Sequence, residues 1–158
     1  MILSKFIRIT PIDLLLYRYD LNKIASSVSV DVSIEILKRT HRRTITYTAI
    51  LNEEEVHYSQ VFLNLLLLRQ FGYKKQPVIG NCVTKQVYRG LRIYPYVLRH
   101  IIFDLHKQGH KYVYIFVALN NYASIHGIER VGFKQIAHLH GKRIGPILFN
   151  RSQSLPGV

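Results

Sequence analysis

The spacing of apolar positions changes several times along the chain, and each change marks an element. From residue 44 the alternation is tight. Thr44–Leu51 is rich in β-branched and apolar residues, Asn52–Glu55 is polar, and Val56–Leu63 resumes the pattern. This predicts a hairpin with a rather long turn. Pro77 then precedes a third strand over Val78–Thr84. Over Ile93–Gln108 the period lengthens. Ile93, Val97, Ile101 and Leu105 recur four residues apart, with Leu98 and Ile102 beside them, on one helical face. Pro95 falls in the first turn, where its missing N–H costs nothing, and Gly109 ends the helix.

Tyr112–Val117 is apolar on both faces, the pattern of a strand inside a sheet. Two strands joined by a helix predict a parallel pair with a right-handed crossover. Asn121–Val131 reads as a second helix stopped by Gly132. Phe133–Leu139 and Ile144–Phe149 read as a closing hairpin turning near Gly141. Residues 1–40 carry the weakest pattern. Ser4–Thr10 reads as a strand, Pro11–Leu21 as a short helix, and Val32–Arg39 as a helix with Val32, Ile36 and Leu37 inward; the basic cluster Lys38–Arg43 closes the region.

Composition narrows the classes. At 158 residues with 48% hydrophobic and 20% charged positions, the chain suits one globular domain spanning 1–158. Cys82 is the only cysteine, which excludes an internal disulfide framework and a cysteine zinc site. The run Leu65–Leu68 meets Arg69 at once, far short of the about 20 residues a membrane span needs. It is expected to pack against the sheet or against a second copy in a homodimer. Lys5 and Arg8 interrupt the apolar N-terminus, so no signal peptide and a cytoplasmic location are expected.

The net charge is +13, and residues 85–158 hold eleven Lys and Arg against two acids, a local +9. Such a chain attracts polyanions: nucleic acid, an acidic surface or a phosphorylated ligand. Within that half, Val87-Tyr88-Arg89-Gly90-Leu91-Arg92-Ile93-Tyr94 joins a strand to a helix start. A helix start offers unpaired N–H groups and the positive dipole end. Gly90 permits close approach of an anion, and Arg89 and Arg92 add charge. An ordinary turn with solvated arginines is the other reading. No P-loop or dinucleotide-binding glycine pattern occurs.

The frame strand–[QR]-x-x-G-x-[GA]–helix falls on Val87–Arg92. A strand, an Asn, a short helix and Gly-Phe follow as Tyr112–Val117, Asn121–Ile125 and Gly132-Phe133. In this order the chain resembles the GNAT acetyltransferase superfamily, over roughly residues 44–149, with specific motifs only in 78–133. The resemblance implies an α/β (α+β) fold, a mixed, largely antiparallel sheet with a central parallel βαβ pair flanked by helices. It implies acyl transfer from acetyl-CoA, as co-substrate, to a small-molecule amine.

On this frame, amides near Val83 and Thr84 would hold the pantetheine and the carbonyl. Arg89, Gly90, Leu91, Arg92, Ile93 and Tyr94 would hold the pyrophosphate. Asn121, with Ser124, would serve the pantetheine arm or order a water. Three positions depart from the pattern: Val87 for Gln/Arg, Arg92 for the second Gly, and Ile128 where many members carry a Tyr beside the sulfur. Tyr94, Tyr96 and Tyr122 are the nearby hydroxyls.

For a general base the candidate is His57, with Ser59 on the same strand face. A hydrogen-bonded or exposed histidine is the other reading. Glu53–Glu55 read as a solvated turn. His106/His110 lack a third ligand, and His138/His140 share one strand face; all four read as solvent-facing, and no metal is expected. Cys82 reads as a structural thiol. Two alternatives to the enzyme stand: a basic nucleic-acid-binding module, and a degenerate GNAT fold that binds CoA without turnover.

Overall fold

The computed structural model describes residues 8–24 and 33–156. Their elements, in chain order, are β1 (Thr10–Asp20), β2 (Glu35–His41), β3 (Thr44–Leu51), β4 (Glu54–Phe62), α1 (Leu66–Gln70), β5 (Val78–Thr84), α2 (Ile93–Lys107), β6 (Tyr112–Ala118), α3 (Tyr122–Val131), β7 (Lys134–Ile144) and β8 (Ile147–Ser154). A single 3₁₀ turn, Gln86–Tyr88, leads into α2. The strands form one sheet in the order β2-β3-β4-β5-β6-β1-β7-β8. Only β5 and β6 run parallel; every other neighbouring pair is antiparallel. The α+β class and the central parallel pair are thus as expected.

The helical face of α2 is the one its spacing predicts: Ile93, Val97, Leu98, Ile101, Ile102 and Leu105 are all buried. They share one core with α3 and with alternate residues of the strands, among them Tyr17, Tyr47, Val113 and Ile115. A smaller core fills the opposite face, where Leu68 and Phe71 meet Ile12, Leu16, Val78 and Leu139. The leucine run around α1 therefore packs against the sheet. Truncating one such buried Leu or Ile to Ala costs about 2–5 kcal/mol. Asp104 ties α2 to the sheet, pairing with Lys38 at 2.7 Å and accepting the Tyr47 hydroxyl.

The first forty residues depart most from expectation. Pro11–Leu21 is not a helix; it lies within β1, between β6 and β7. Both its faces are covered, Leu16 entering one core and Tyr17 and Tyr19 the other. The run Leu14-Leu15-Leu16 is thus the apolar signature of a central strand, which short windows cannot tell from a buried helix. Likewise Glu35–His41 is a strand rather than a helix, paired with β3 across a two-residue turn. Arg42 takes a left-handed φ of 50° there, a conformation more usual for Gly or Asn. Of the expected strand over Ser4–Thr10, residues 4–7 lie outside the described residues, as does Val32.

Two turns also differ. The β3–β4 turn is only Asn52-Glu53, both at positive φ (49° and 63°), the geometry of a type I′ hairpin. Glu54 and Glu55 consequently belong to β4. The last hairpin turns at Gly145-Pro146, not Gly141. Gly141 sits within β7, where a Cβ would come within 3.1 Å of Leu148 Cδ1. That glycine marks close packing at the register shift between β7 and β8, not the hairpin turn.

Candidate functional site

The parallel pair is broken early. β5 and β6 hold register only at Val78↔Tyr114 and Ile79↔Ile115. Beyond that point β5 follows β4 across a bulge: Gly80 faces Gln60, Val83 faces Tyr58, and Asn81 takes a φ of 48°. An extra residue in one strand bends it and raises its twist. β6 meanwhile stays paired with β1 as far as Ala118. The two strands part, and a cleft of about 550 Å³ lies against the end of β5, the turn into α2 and one side of α3.

The mouth of the cleft is built from backbone and arginine. Gly90 (φ 81°) and Arg92 (φ 59°) both adopt left-handed backbone, and Arg92 is the N-cap of α2 with no side-chain cap of its own. The amides of Gly90, Leu91 and Arg92 make no backbone hydrogen bond among the described residues. Those of Ile93 and Tyr94 lie in the first helical turn, where no intrahelical acceptor exists. Pro95 adds no donor, and Tyr96 N–H already bonds Arg92 O. Arg89, Arg92 and Arg130 line the cleft, and among the described residues no carboxylate does. The arrangement offers an anion both the positive end of the helix dipole and nearby cations. Behind it, Glu54 accepts from Lys85 (2.8 Å) and Tyr88 (2.6 Å), bracing the turn from β4; both contacts hold its carboxyl below the usual range.

The inner end is different in kind. His57 and Ser59 lie buried on β4, with His57 Nε2 2.7 Å from Ser59 Oγ and Nδ1 2.7 Å from Thr84 Oγ1. A neutral imidazole donates at one nitrogen and accepts at the other, and the hydroxyls of Ser59 and Thr84 can serve either role. Burial pushes its pKa down to about 4. Ser59 and the Tyr94 hydroxyl also contact the Cys82 thiol, and burial raises both the Cys82 and Tyr94 pKa. Thr84, His57, Ser59, Cys82 and Tyr94 form one continuous polar chain reaching from the cleft into the protein. The ring of Tyr94 stands 5.6 Å from that of His57 and is seated against Gly127, where a Cβ would fall 2.9 Å from Tyr94 Cδ1.

The structure gathers most of the residues singled out in the sequence. His57, Val83, Thr84, Arg89, Gly90, Arg92, Ile93, Tyr94, Asn121 and Ser124 all line the cleft. Leu91 does not; its side chain is half exposed. Asn121 is the N-cap of α3, its Oδ1 accepting from Ser124 N at 3.3 Å. Ile128 is fully buried in the main core. Of the three nearby tyrosines only Tyr94 enters the cleft; Tyr96 bonds Ile34 O at 3.5 Å, and Tyr122 is exposed. Sequence reasoning did not place Cys82, Gly127 or Arg130 in the site. Gly127 alone carried a signal, as a glycine inside a helix.

No family model matches the sequence, and no curated protein matches it significantly. Solved structures do match. One is a proposed acetyltransferase of the GNAT family from Novosphingobium aromaticivorans DSM 12444, a crystal structure at 16% identity and a TM-score of 0.58. The match covers 82% of this chain and 61% of that one, so the present chain spans under two thirds of its neighbour's length. With the splayed parallel pair and the helix start at its mouth, this likeness gives the chain a GNAT fold. No described helix is long and apolar enough to cross a membrane.

Proposed function

We propose that the protein is an N-acyltransferase that moves an acyl group from acyl-CoA, acetyl-CoA in the first instance, to a small-molecule amine in a reducing compartment such as the cytoplasm. The observation that carries this reading is the cleft beside the end of β5, where β5 has parted from β6, with unbonded amides and three arginines lining it. A thioester on a long arm ending in a pyrophosphate fits both parts at once. The amides of Gly90–Tyr94 with Arg89 and Arg92 receive the pyrophosphate. The unpaired edge of β5 at Val83 and Thr84 receives the arm and polarises the carbonyl. Asn121 contributes its amide NH₂ from the opposite wall.

The amine nitrogen attacks the carbonyl carbon, the C–S bond breaks, and the amine loses one proton while the sulfur gains one. His57 is the acceptor for the amine proton, through the Thr84 hydroxyl that opens to the cleft. Its low basicity makes it a relay within the hydrogen-bonded chain rather than a store of charge. Tyr94, kept as a neutral hydroxyl by burial, donates a hydrogen bond to the departing sulfur, the task Ile128 cannot perform. Thermal unfolding with millimolar acetyl-CoA tests the binding: a rise in Tm is expected, and its absence overturns the reading. CoA release against a panel of amines tests the chemistry.

The depressed His57 pKa favours one second reading, a fold that binds CoA without turnover. Stabilisation by acetyl-CoA with no thiol release from any amine would select it.

A further inference from the structure

The structure assigns a second candidate site, independent of the acyl-transfer reading: we propose that Asp13, His138 and His140 bind one divalent first-row transition-metal ion, Zn²⁺ above all, clasping β1 to β7. Asp13 and His140 are direct cross-strand partners, and His138 stands two residues along on the same face. His138 Nε2 lies 2.6 Å and His140 Nδ1 3.4 Å from Asp13 Oδ1, and the two imidazoles are 4.0 Å apart. The three ligand atoms all fall within 4.8 Å of one another.

Register holds them there. The alternate residues Ile12, Leu16, Ala137 and Leu139 are buried in the core on the opposite face, so a one-residue slip would bury the ligands and expose that core. Tetrahedral zinc with bonds of about 2.0–2.1 Å places its ligand atoms about 3.3–3.4 Å apart. The observed spacing needs only small rotations of side chains that are partly open to solvent. Two imidazoles with one carboxylate favour zinc, nickel or cobalt over magnesium or calcium, which prefer oxygen. Three protein ligands also leave a coordination position open to water.

The consequence is mechanical. Asp13 and His138 are 125 residues apart, and β1 lies between two strands from the second half of the chain. An ion here ties a strand near the N-terminus into the sheet and stabilises the folded state by mass action.

The test is Zn²⁺ titration of the full chain by calorimetry, with thermal unfolding alongside. One equivalent of Zn²⁺ and a higher Tm are expected. His138→Gln and His140→Gln should each weaken binding by about 100-fold, since even loss of an outer-shell partner costs 10–100-fold. The His106→Gln/His110→Gln double variant should leave both readouts unchanged. In the unmodified protein, Zn²⁺ should shift the ring resonances of His138 and His140, a readout independent of whether a variant folds. No binding at sub-millimolar Zn²⁺, or binding that His138→Gln and His140→Gln leave intact, overturns the proposal and leaves a simple His–Asp ion pair.

Discussion

The two ends of the cleft solve different problems with different materials. The mouth is open and cationic and presents unpaired backbone amides, so the anion binding proposed there would depend on chain conformation as well as on side-chain identity. Arg92 stands at a left-handed position where the motif carries a glycine, and the helix start is still formed. The inner end is buried, neutral and made of side chains in mutual contact; there each hydroxyl or ring nitrogen has a specific partner. Substitution at the mouth should grade binding, whereas substitution inside should switch off chemistry.

The sharpest way to break that contrast is His57→Gln, which keeps a hydrogen-bonding group of similar reach but cannot carry a proton. Steady-state kinetics should show kcat lower by about 100-fold or more, with acetyl-CoA affinity unchanged. A matching loss of affinity would merge the two ends into one.

A pH titration of stability comes next in size. The folded state holds His57 neutral down to about pH 4, whereas the unfolded chain protonates it near 6.5. Between these values the unfolded chain binds the extra proton, so stability falls as the pH is lowered through this window. The full effect is about 3 kcal/mol, and it is absent above the unfolded pKa. Urea unfolding at several pH values should show this slope in the native chain and a smaller one in His57→Gln, where His100 and His110, also lowered by burial, remain.

Gly127→Val probes the wall between the ends. With a Cβ 2.9 Å from Tyr94, the ring must shift, at about 1–3 kcal/mol of stability. Turnover should fall more than acetyl-CoA binding, read from kcat against KM. Smallest is Arg92→Gly: the left-handed φ of 59° suits glycine, so unfolding should move by no more than about 1 kcal/mol. Acetyl-CoA binding should weaken severalfold and lose part of its salt dependence.

Much of this arrangement is legible in the residues themselves. The i, i+4 spacing of Ile93, Val97, Ile101 and Leu105 defines the buried face of α2. Gly90 and the following helix start locate the mouth of the cleft. The alternation through His57 and Ser59 puts both on one strand face. The strand β1 is not legible, because Leu14–Leu16 is equally apolar in either period and its partners lie about a hundred residues away. Asp13 is lost with it: read on a helix, it is nowhere near His138 and His140. The short type I′ turn at Asn52-Glu53 is hidden as well, since glutamate rarely takes positive φ.

What the chain determined by itself is local: helix faces, most strand positions, the charge bias of its second half and the loop that precedes α2. These depend on side-chain period and backbone conformation over a few residues. Tertiary structure alone decided that β1 enters between β6 and β7, that β5 leaves β6 after two residue pairs, and that His57 and Thr84, Cys82 and Tyr94, or Asp13 and His138 meet. Such contacts join residues from a dozen to more than a hundred positions apart, and only packing of the whole sheet fixes which strands become neighbours and where their pairing stops.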